Sequence, residues 1–128
     1  MAAPVAAYIP AVASGSQVFT AGQLPFVDGV LPATGKVGDA VSPEQAADLA
    51  RIAALNGVAA AASVAGGVDR IVRVVKVTVF VASDPSFTGQ PAVANGASQL
   101  LQSIFGARGL HVRSAVGVTV LPLDSPVE

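Results

Sequence analysis

The sequence has no cysteine and no tryptophan, and only one histidine, one tyrosine and one methionine in 128 residues. Without cysteine there are no disulfides and no thiolate metal sites. With His111 the only imidazole, metal sites built on several histidines are excluded as well. Charge is scarce: 12% of residues carry it, seven basic against eight acidic, for a net −1. The basic residues are spread along the chain, so none of them form a phosphate-tracking patch, and no nucleic-acid partner is expected. Hydrophobic residues make up 52% and mean hydropathy is +0.65, with alanine and valine supplying most of it. No uninterrupted apolar run is long enough to span a bilayer, so no membrane partner is expected. The N-terminal MAAPVAAYIPAVASG lacks a basic leader and is broken by Pro4 and Pro10. It reads as folded structure rather than a signal peptide, which makes the cytoplasm the default location. The length predicts a single domain over residues 1–128, burying roughly two-thirds of its unfolded surface without covalent staples.

What is present is a clear succession of elements. Tyr8 to Ala13 and Gln17 to Ala21 read as two short strands turning at Ser14-Gly15-Ser16. Asp28-Gly29 marks a further turn, and Pro32 to Gly38 a loop. Ser42-Pro43-Glu44-Gln45 starts a helix: Ser42 caps, proline suits the first helical position, and Gln45 completes a capping box. Leu49, Ile52 and Leu55 follow at helical spacing until Gly66-Gly67. Ile71 to Val81 is β-branched almost throughout and reads as the main strand. A second helix runs from Gln90 or Pro91 to Phe105, with Val93, Leu100, Leu101 and Ile104 toward the core. Asn95-Gly96-Ala97-Ser98 places weak helix formers inside it.

The closing stretch His111–Glu128 is a strand opened by an arginine, with apolar Val116, Val118 and Val120 alternating with small residues. Two helices can cover only one face of a sheet. The strands over 71–81 and 115–121 are apolar on both faces, so an oligomer that buries the second face is expected.

Arg113 is the residue that most needs a partner. Burial cannot neutralise a guanidinium, so at an apolar strand mouth it requires an acceptor. Two readings stand: an internal carboxylate that Arg113 pairs with to hold the fold, or a ligand carboxylate or phosphate gripped bidentately. Arg70 and Arg73 need only surface or subunit-pairing roles. His111 reads as a loop hydrogen-bonding residue. Gly22 and Gly35 read as turn glycines whose backbone N–H could also face a ligand.

The chain resembles the reactive-intermediate deaminase family, also called Rid or YjgF-like. The resemblance runs through Tyr8, then Val-Phe-Thr-Ala-Gly-Gln-Leu-Pro and Thr-Gly. It continues in the capped helix, Lys-Val-Thr-Val-Phe-Val, Asp-x-x-x-Phe, Asn95 and the close Arg-Ser…Leu-Pro…Glu. It implies an α+β, chorismate-mutase-like fold: a mixed sheet with two helices on one face. It also implies a homotrimer with a barrel-like core and three clefts between subunits. In those clefts the family arginine, here Arg113, binds the carboxylate of an imine or enamine derived from an amino acid. The family's tyrosine falls on Tyr8, its Ser-Gly-Gln turn on Ala21-Gly22-Gln23, and its helix asparagine on Asn95. The position two after the arginine, often cysteine, is Ala115. The glutamate that helps activate water is Glu128. Catalysis thus falls to Arg113 and Glu128, and substrate binding to Tyr8, Gly22, Asn95, Arg113 and Ala115.

This chain departs from the pattern at several points. Gly-Pro-Tyr becomes Ala-Ala-Tyr, the turn serine is Ala21, and Phe/Tyr-Pro-x-Arg becomes His111-Val112-Arg113. These mark a divergent subgroup. The implied activity is hydrolytic deamination of 2-imino or enamine acids to 2-keto acids and ammonium, with no metal or organic cofactor. The alternative is a non-enzymatic trimeric binding module for small carboxylate metabolites. A ribonuclease role, attached to the wider family, is disfavoured by the acidic balance and the lack of basic–aromatic clusters.

Overall fold

In the computed structural model, which describes every residue except Ala2 and Val5, the chain opens on a hairpin. Strand β1 (Ala11–Ser14) pairs antiparallel with β2 (Gln17–Thr20), Val12 opposite Phe19. Gly15 takes φ +60° at the first position of the two-residue turn, a conformation that L side chains resist. The hairpin strands are shorter than the sequence suggests. Residues 8–10 lie outside β1, and Ala21 ends the hairpin by donating its N–H to Pro10 O at 2.8 Å.

Helix α1 (Pro43–Ala65) begins where its capping chemistry puts it. Ser42 is extended, and its Oγ accepts the Gln45 N–H at 3.1 Å. Gly66 ends the helix in the left-handed region at φ 94°. Ser42→Ala is expected to cost about 0.5–2 kcal/mol, because one orphan N–H loses its acceptor. A denaturation midpoint equal to the parent's would show that the cap contributes nothing. Among the described residues α1 is the one helix long and apolar enough to cross a membrane. Its first turns nevertheless carry Glu44, Asp48 and Arg51, and its buried stripe of Ala46, Leu49, Ala50, Ala53 and Ala60 faces the interior.

Strand β3 (Lys76–Ala82) is the central strand. It starts five residues later than the β-branched run does, because 71–75 makes no ladder pairing with a neighbouring strand. Helix α2 (Gln90–Phe105) returns the chain over the sheet and packs on α1 and on β3. Strand β4 (Val112–Val118) then lies parallel to β3, from Lys76 opposite Val112 to Ala82 opposite Val118. It ends before Val120, which is exposed.

The tail comes back antiparallel along the other edge of β3. Val127 bridges Val81, and Glu128 and Phe80 exchange both backbone hydrogen bonds at 2.9 Å. A parallel neighbour on one edge and an antiparallel one on the other make the sheet mixed. The terminal residue is therefore tied down rather than frayed.

The core lies between this sheet and the two helices. It is built on Val37, Val41, Leu49, Val79, Val81, Val93 and Val127, with alanines from both helices. Two residues expected inward are not: Leu55 is 51% and Ile104 38% exposed. Glycine and alanine shape the helix contact. A Cβ on Gly96 would lie 1.9 Å from Ala47 O, so α2 crosses α1 backbone to backbone at that point.

Parallel partners share a face, so Arg113 and Ala115 lie with Val77 and Val79 on the side that α2 covers. Among the described residues neither α-helix covers the opposite side, where Val116 on β4 is 41% exposed; on the separate β1–β2 hairpin Val12 and Phe19 are exposed as well.

Candidate functional site

Two groups of polar residues are built by this fold, one on each side of the sheet. The first surrounds Arg113. From β4 its guanidinium reaches the start of α2. Nη1 donates to Asn95 Oδ1 at 2.8 Å and to Ser98 Oγ at 3.1 Å, and Nη2 lies 3.4 Å from Pro91 O. Each of these acceptors is neutral. Among the described residues the only ion pair joins Lys36 to Asp124 at 4.0 Å, so no internal carboxylate neutralises Arg113. Its charge is held in place without being cancelled, which is the arrangement an anion-binding arginine needs. Ala115, two residues on, is half-buried beside it against the core.

Ser98 has a second partner. Its Oγ lies 2.9 Å from His111 Nε2, and His111 Nδ1 lies 2.6 Å from Gly109 O. Ser98 itself is buried. The sequence flags it only as an odd residue in a helix. Asn95 satisfies no backbone group in these contacts, because its carbonyl oxygen serves the arginine.

The second group surrounds Glu128. A cavity of about 400 Å³ is lined by Tyr8, Ala21, Gly22, Phe26, Pro122 and Glu128, among others. Burial pushes the Glu128 carboxyl above the ordinary glutamate range. Gly22 is what lets it lie there. A Cβ at position 22 would fall 2.8 Å from Glu128 Cδ, displacing the carboxylate rather than the fold. The loop carrying Gly22 is pinned from α1, where Asn56 Nδ2 donates to Leu24 O at 3.0 Å and to Phe26 O at 3.2 Å. Sequence reading passes over Asn56, since a polar residue on an apolar helix gives no hint of a carbonyl thirty residues away. Gly35, the other turn glycine, gives its N–H to Asp124 O at 2.9 Å.

The structure thus brings Arg113, Asn95 and Ala115 together, and separately Tyr8, Gly22 and Glu128. Within one chain the groups do not meet. Glu128 pairs directly with Phe80, whose side chain alternates with those of Val79 and Val81, so its carboxylate lies on the side of the sheet away from α2. Arg113 is on the α2 side. Among the described residues no three metal-ligating side chains gather.

This arrangement, two helices over a mixed sheet, is the chorismate-mutase-like α+β fold, and the chain belongs to the YjgF family. The family model described as "YjgF/chorismate_mutase-like, putative endoribonuclease" matches residues 1–127. Protein TCP17 of Trypanosoma cruzi is 45% identical over 128 residues, covering 99% of this chain and 80% of that protein. Atu1372 of Agrobacterium tumefaciens, a crystal structure of unknown function, aligns with TM-score 0.90 at 40% identity, over 94% of this chain and 77% of that one. TdcF of E. coli, crystallised with bound serine, aligns with TM-score 0.68 at 28% identity, over 97% of this chain and 84% of that one.

Proposed function

We propose that this protein hydrolyses reactive 2-imino or enamine acids to 2-keto acids and ammonium, in a site shared between subunits of a homotrimer. The observation that carries the reading is Arg113. It is a guanidinium held by Asn95 and Ser98 with no acid against it, on a surface next to the small Ala115. That is a carboxylate receptor. The serine bound to TdcF, itself a small amino acid with a carboxylate, is in keeping with such a receptor. The Glu128 cavity, on the opposite side of the sheet, supplies the second half. A complete site then needs one half from each of two copies. Exposed apolar side chains on both sheets, Val116 on β4 and Val12 and Phe19 on the hairpin, give those copies a reason to associate.

In this scheme Arg113 anchors the carboxylate and so fixes the adjacent C=N carbon. Water adds to that carbon of the protonated imine, and Glu128 takes the proton the water loses, leaving a neutral carbinolamine. Glu128 then returns that proton to the amino nitrogen; the C–N bond breaks with its electron pair leaving on ammonia, and the hydroxyl becomes the keto C=O as its proton passes to the ammonia to give ammonium. The imine carbon is already electrophilic, so positioning and proton transfer supply the rate. Burial makes the Glu128 carboxylate a stronger base than an ordinary glutamate, which suits a group that must both take and give a proton.

The direct test is keto-acid release from freshly generated 2-iminopropanoate, measured against the spontaneous hydrolysis rate. Acceleration supports the deaminase. Tight binding of pyruvate with no acceleration supports the binding module, a reading that Ala21 and Ala115 favour because each stands where the family has a hydroxyl or thiol.

The pH profile gives a further check. Burial disfavours ionised Glu128, so its folded pKa is raised. The resulting penalty on stability is present above that raised pKa and is relieved as pH falls through it. Glu128→Gln is therefore expected to leave stability at neutral pH unchanged or slightly higher. It should also abolish turnover and with it the acid limb of kcat/KM. A Gln variant that keeps the parent's rate and acid limb removes Glu128 from the mechanism.

A further inference from the structure

We infer that Ser98 and His111 are positioning residues for Arg113. They form a hydrogen-bond relay that fixes the guanidinium so that its Nε–Nη2 edge is the one presented to a carboxylate. The inference rests on the reading of Arg113 as the carboxylate anchor and adds to it which edge binds and what holds that edge. It starts from donor and acceptor bookkeeping. Gly109 O can only accept, so His111 Nδ1 carries a hydrogen and donates at 2.6 Å. The neutral ring then has a lone pair at Nε2, which accepts the Ser98 O–H at 2.9 Å. With its only hydrogen committed to His111, Ser98 Oγ turns its lone pairs to Arg113 Nη1 at 3.1 Å. The second Nη1 hydrogen goes to Asn95 Oδ1 at 2.8 Å.

Both hydrogens of Nη1 are thereby used. Among the described residues Nε makes no hydrogen bond, and Nη2 makes only the 3.4 Å contact to Pro91 O. The Nε–H and the neighbouring Nη2–H point the same way and match the two oxygens of a carboxylate. The relay also explains two sequence oddities. Ser98 is a buried hydroxyl inside a helix that better formers could have filled. His111 stands where the family pattern has proline, which has neither donor nor acceptor in its side chain. Gly109, the last link, is held close to α2, since a Cβ there would lie 2.4 Å from Leu101 O. The far end of the relay is therefore anchored on rigid backbone.

His111 is the only histidine, so long-range ¹⁵N spectra report its tautomer without assignment. The expected result is the Nδ1–H form at neutral pH, and an Nε2–H ring overturns the inference. The second measurement is guanidinium rotation of Arg113, identified by its loss in Arg113→Lys. It should be restrained in the parent and released in Ser98→Ala, and equal restraint in both overturns the relay. The third is binding of pyruvate by calorimetry. Ser98→Ala should raise Kd roughly tenfold or more, the usual effect of removing a group that orients a ligating one. Ser98→Thr keeps the hydroxyl and should recover most of that loss.

In turnover the loss should fall on KM more than on kcat, because the carboxylate contact is the same in ground and transition states. Parent-like pyruvate affinity in a folded Ser98→Ala protein also overturns the inference. If the parent itself binds no pyruvate, the functional reading alone is lost, because tautomer and rotation are read without ligand.

Discussion

Arg113→Ala is expected to leave a folded, assembled protein that binds 2-keto and 2-imino carboxylates about 1.5–3 kcal/mol more weakly, the usual worth of a hydrogen bond to a charged group. The structure removes the main reason to expect anything else. An arginine paired to a buried acid would leave that acid stranded on truncation and destabilise the fold by several kcal/mol. Here the groups left behind are neutral: Asn95 Oδ1 and Pro91 O on exposed residues of α2, and the buried Ser98 Oγ, which keeps His111 Nε2 as a partner at 2.9 Å. Arg113→Lys should recover little, because an ammonium replaces a planar fork with a point charge. The shared-site proposal adds a sharper result. Arg113→Ala, impaired at low substrate concentration, and Glu128→Gln, inactive, should together exceed the activity expected from either alone at low substrate when unfolded together and refolded as mixed oligomers. Some clefts would then combine an intact half from each. If the mixture shows no such excess while each variant is folded, the two halves belong to one chain and the intersubunit site is wrong. If Arg113→Ala unfolds or dissociates the protein, the arginine is structural.

How much of this was legible in the sequence depends on how local the chemistry is. The α1 start could be read to the residue, because Ser42, Pro43 and Gln45 act within one turn of each other. The α2 boundaries were legible for the same reason, with glycines at both ends. The beginning of β3 was not. Ile71 to Val75 has the same β-branched character as Lys76 to Ala82, and only the length of the partner strand decides where pairing starts. The return of the tail was hidden too. Pro126 interrupts its alternation, and its pairing to Val81 and Phe80 spans more than forty residues.

For the site, the lone arginine in a charge-poor strand and the turn glycine Gly22 can be singled out from physics, whereas Tyr8 and Glu128 come from family resemblance. By resemblance these residues belong to one type of cleft. The structure divides them by the faces of the sheet, a fact that strand alternation fixes only once the partner of each strand is known. Ser98 and Gly96 were noticed as poor helix formers, and their reasons are tertiary: Arg113 for one and Ala47 for the other.

Gly96→Ala is expected to be among the most damaging single methyl additions this protein can receive. On helix propensity alone the change should help by about 1 kcal/mol. Sterically it cannot be accommodated in place, because the new Cβ would lie 1.9 Å from Ala47 O and 2.7 Å from Ala47 C, and both are backbone atoms of α1. The helices must move apart, opening gaps around Ala46, Ala50, Val93 and Ala97, which are packed in one cluster. Overpacking of this kind typically costs about 1–3 kcal/mol and sometimes more, and a backbone clash lies at the upper end. After the propensity gain, a net loss of about 2 kcal/mol or more is expected in urea unfolding.

Gly57→Ala provides the contrast. Gly57 also lies inside a helix, but a Cβ there meets only Gln23 Cγ at 4.0 Å, so the propensity term should prevail and stabilise by about 0.5–1 kcal/mol. The two glycines have the same local setting and opposite expected signs, which isolates the close helix crossing as the cause. Asn95 and Ser98 flank Gly96 and hold Arg113, so a displaced α2 should weaken carboxylate binding along with stability. A Gly96→Ala protein as stable as the parent would mean that α1 and α2 do not meet backbone to backbone at Gly96 and Ala47.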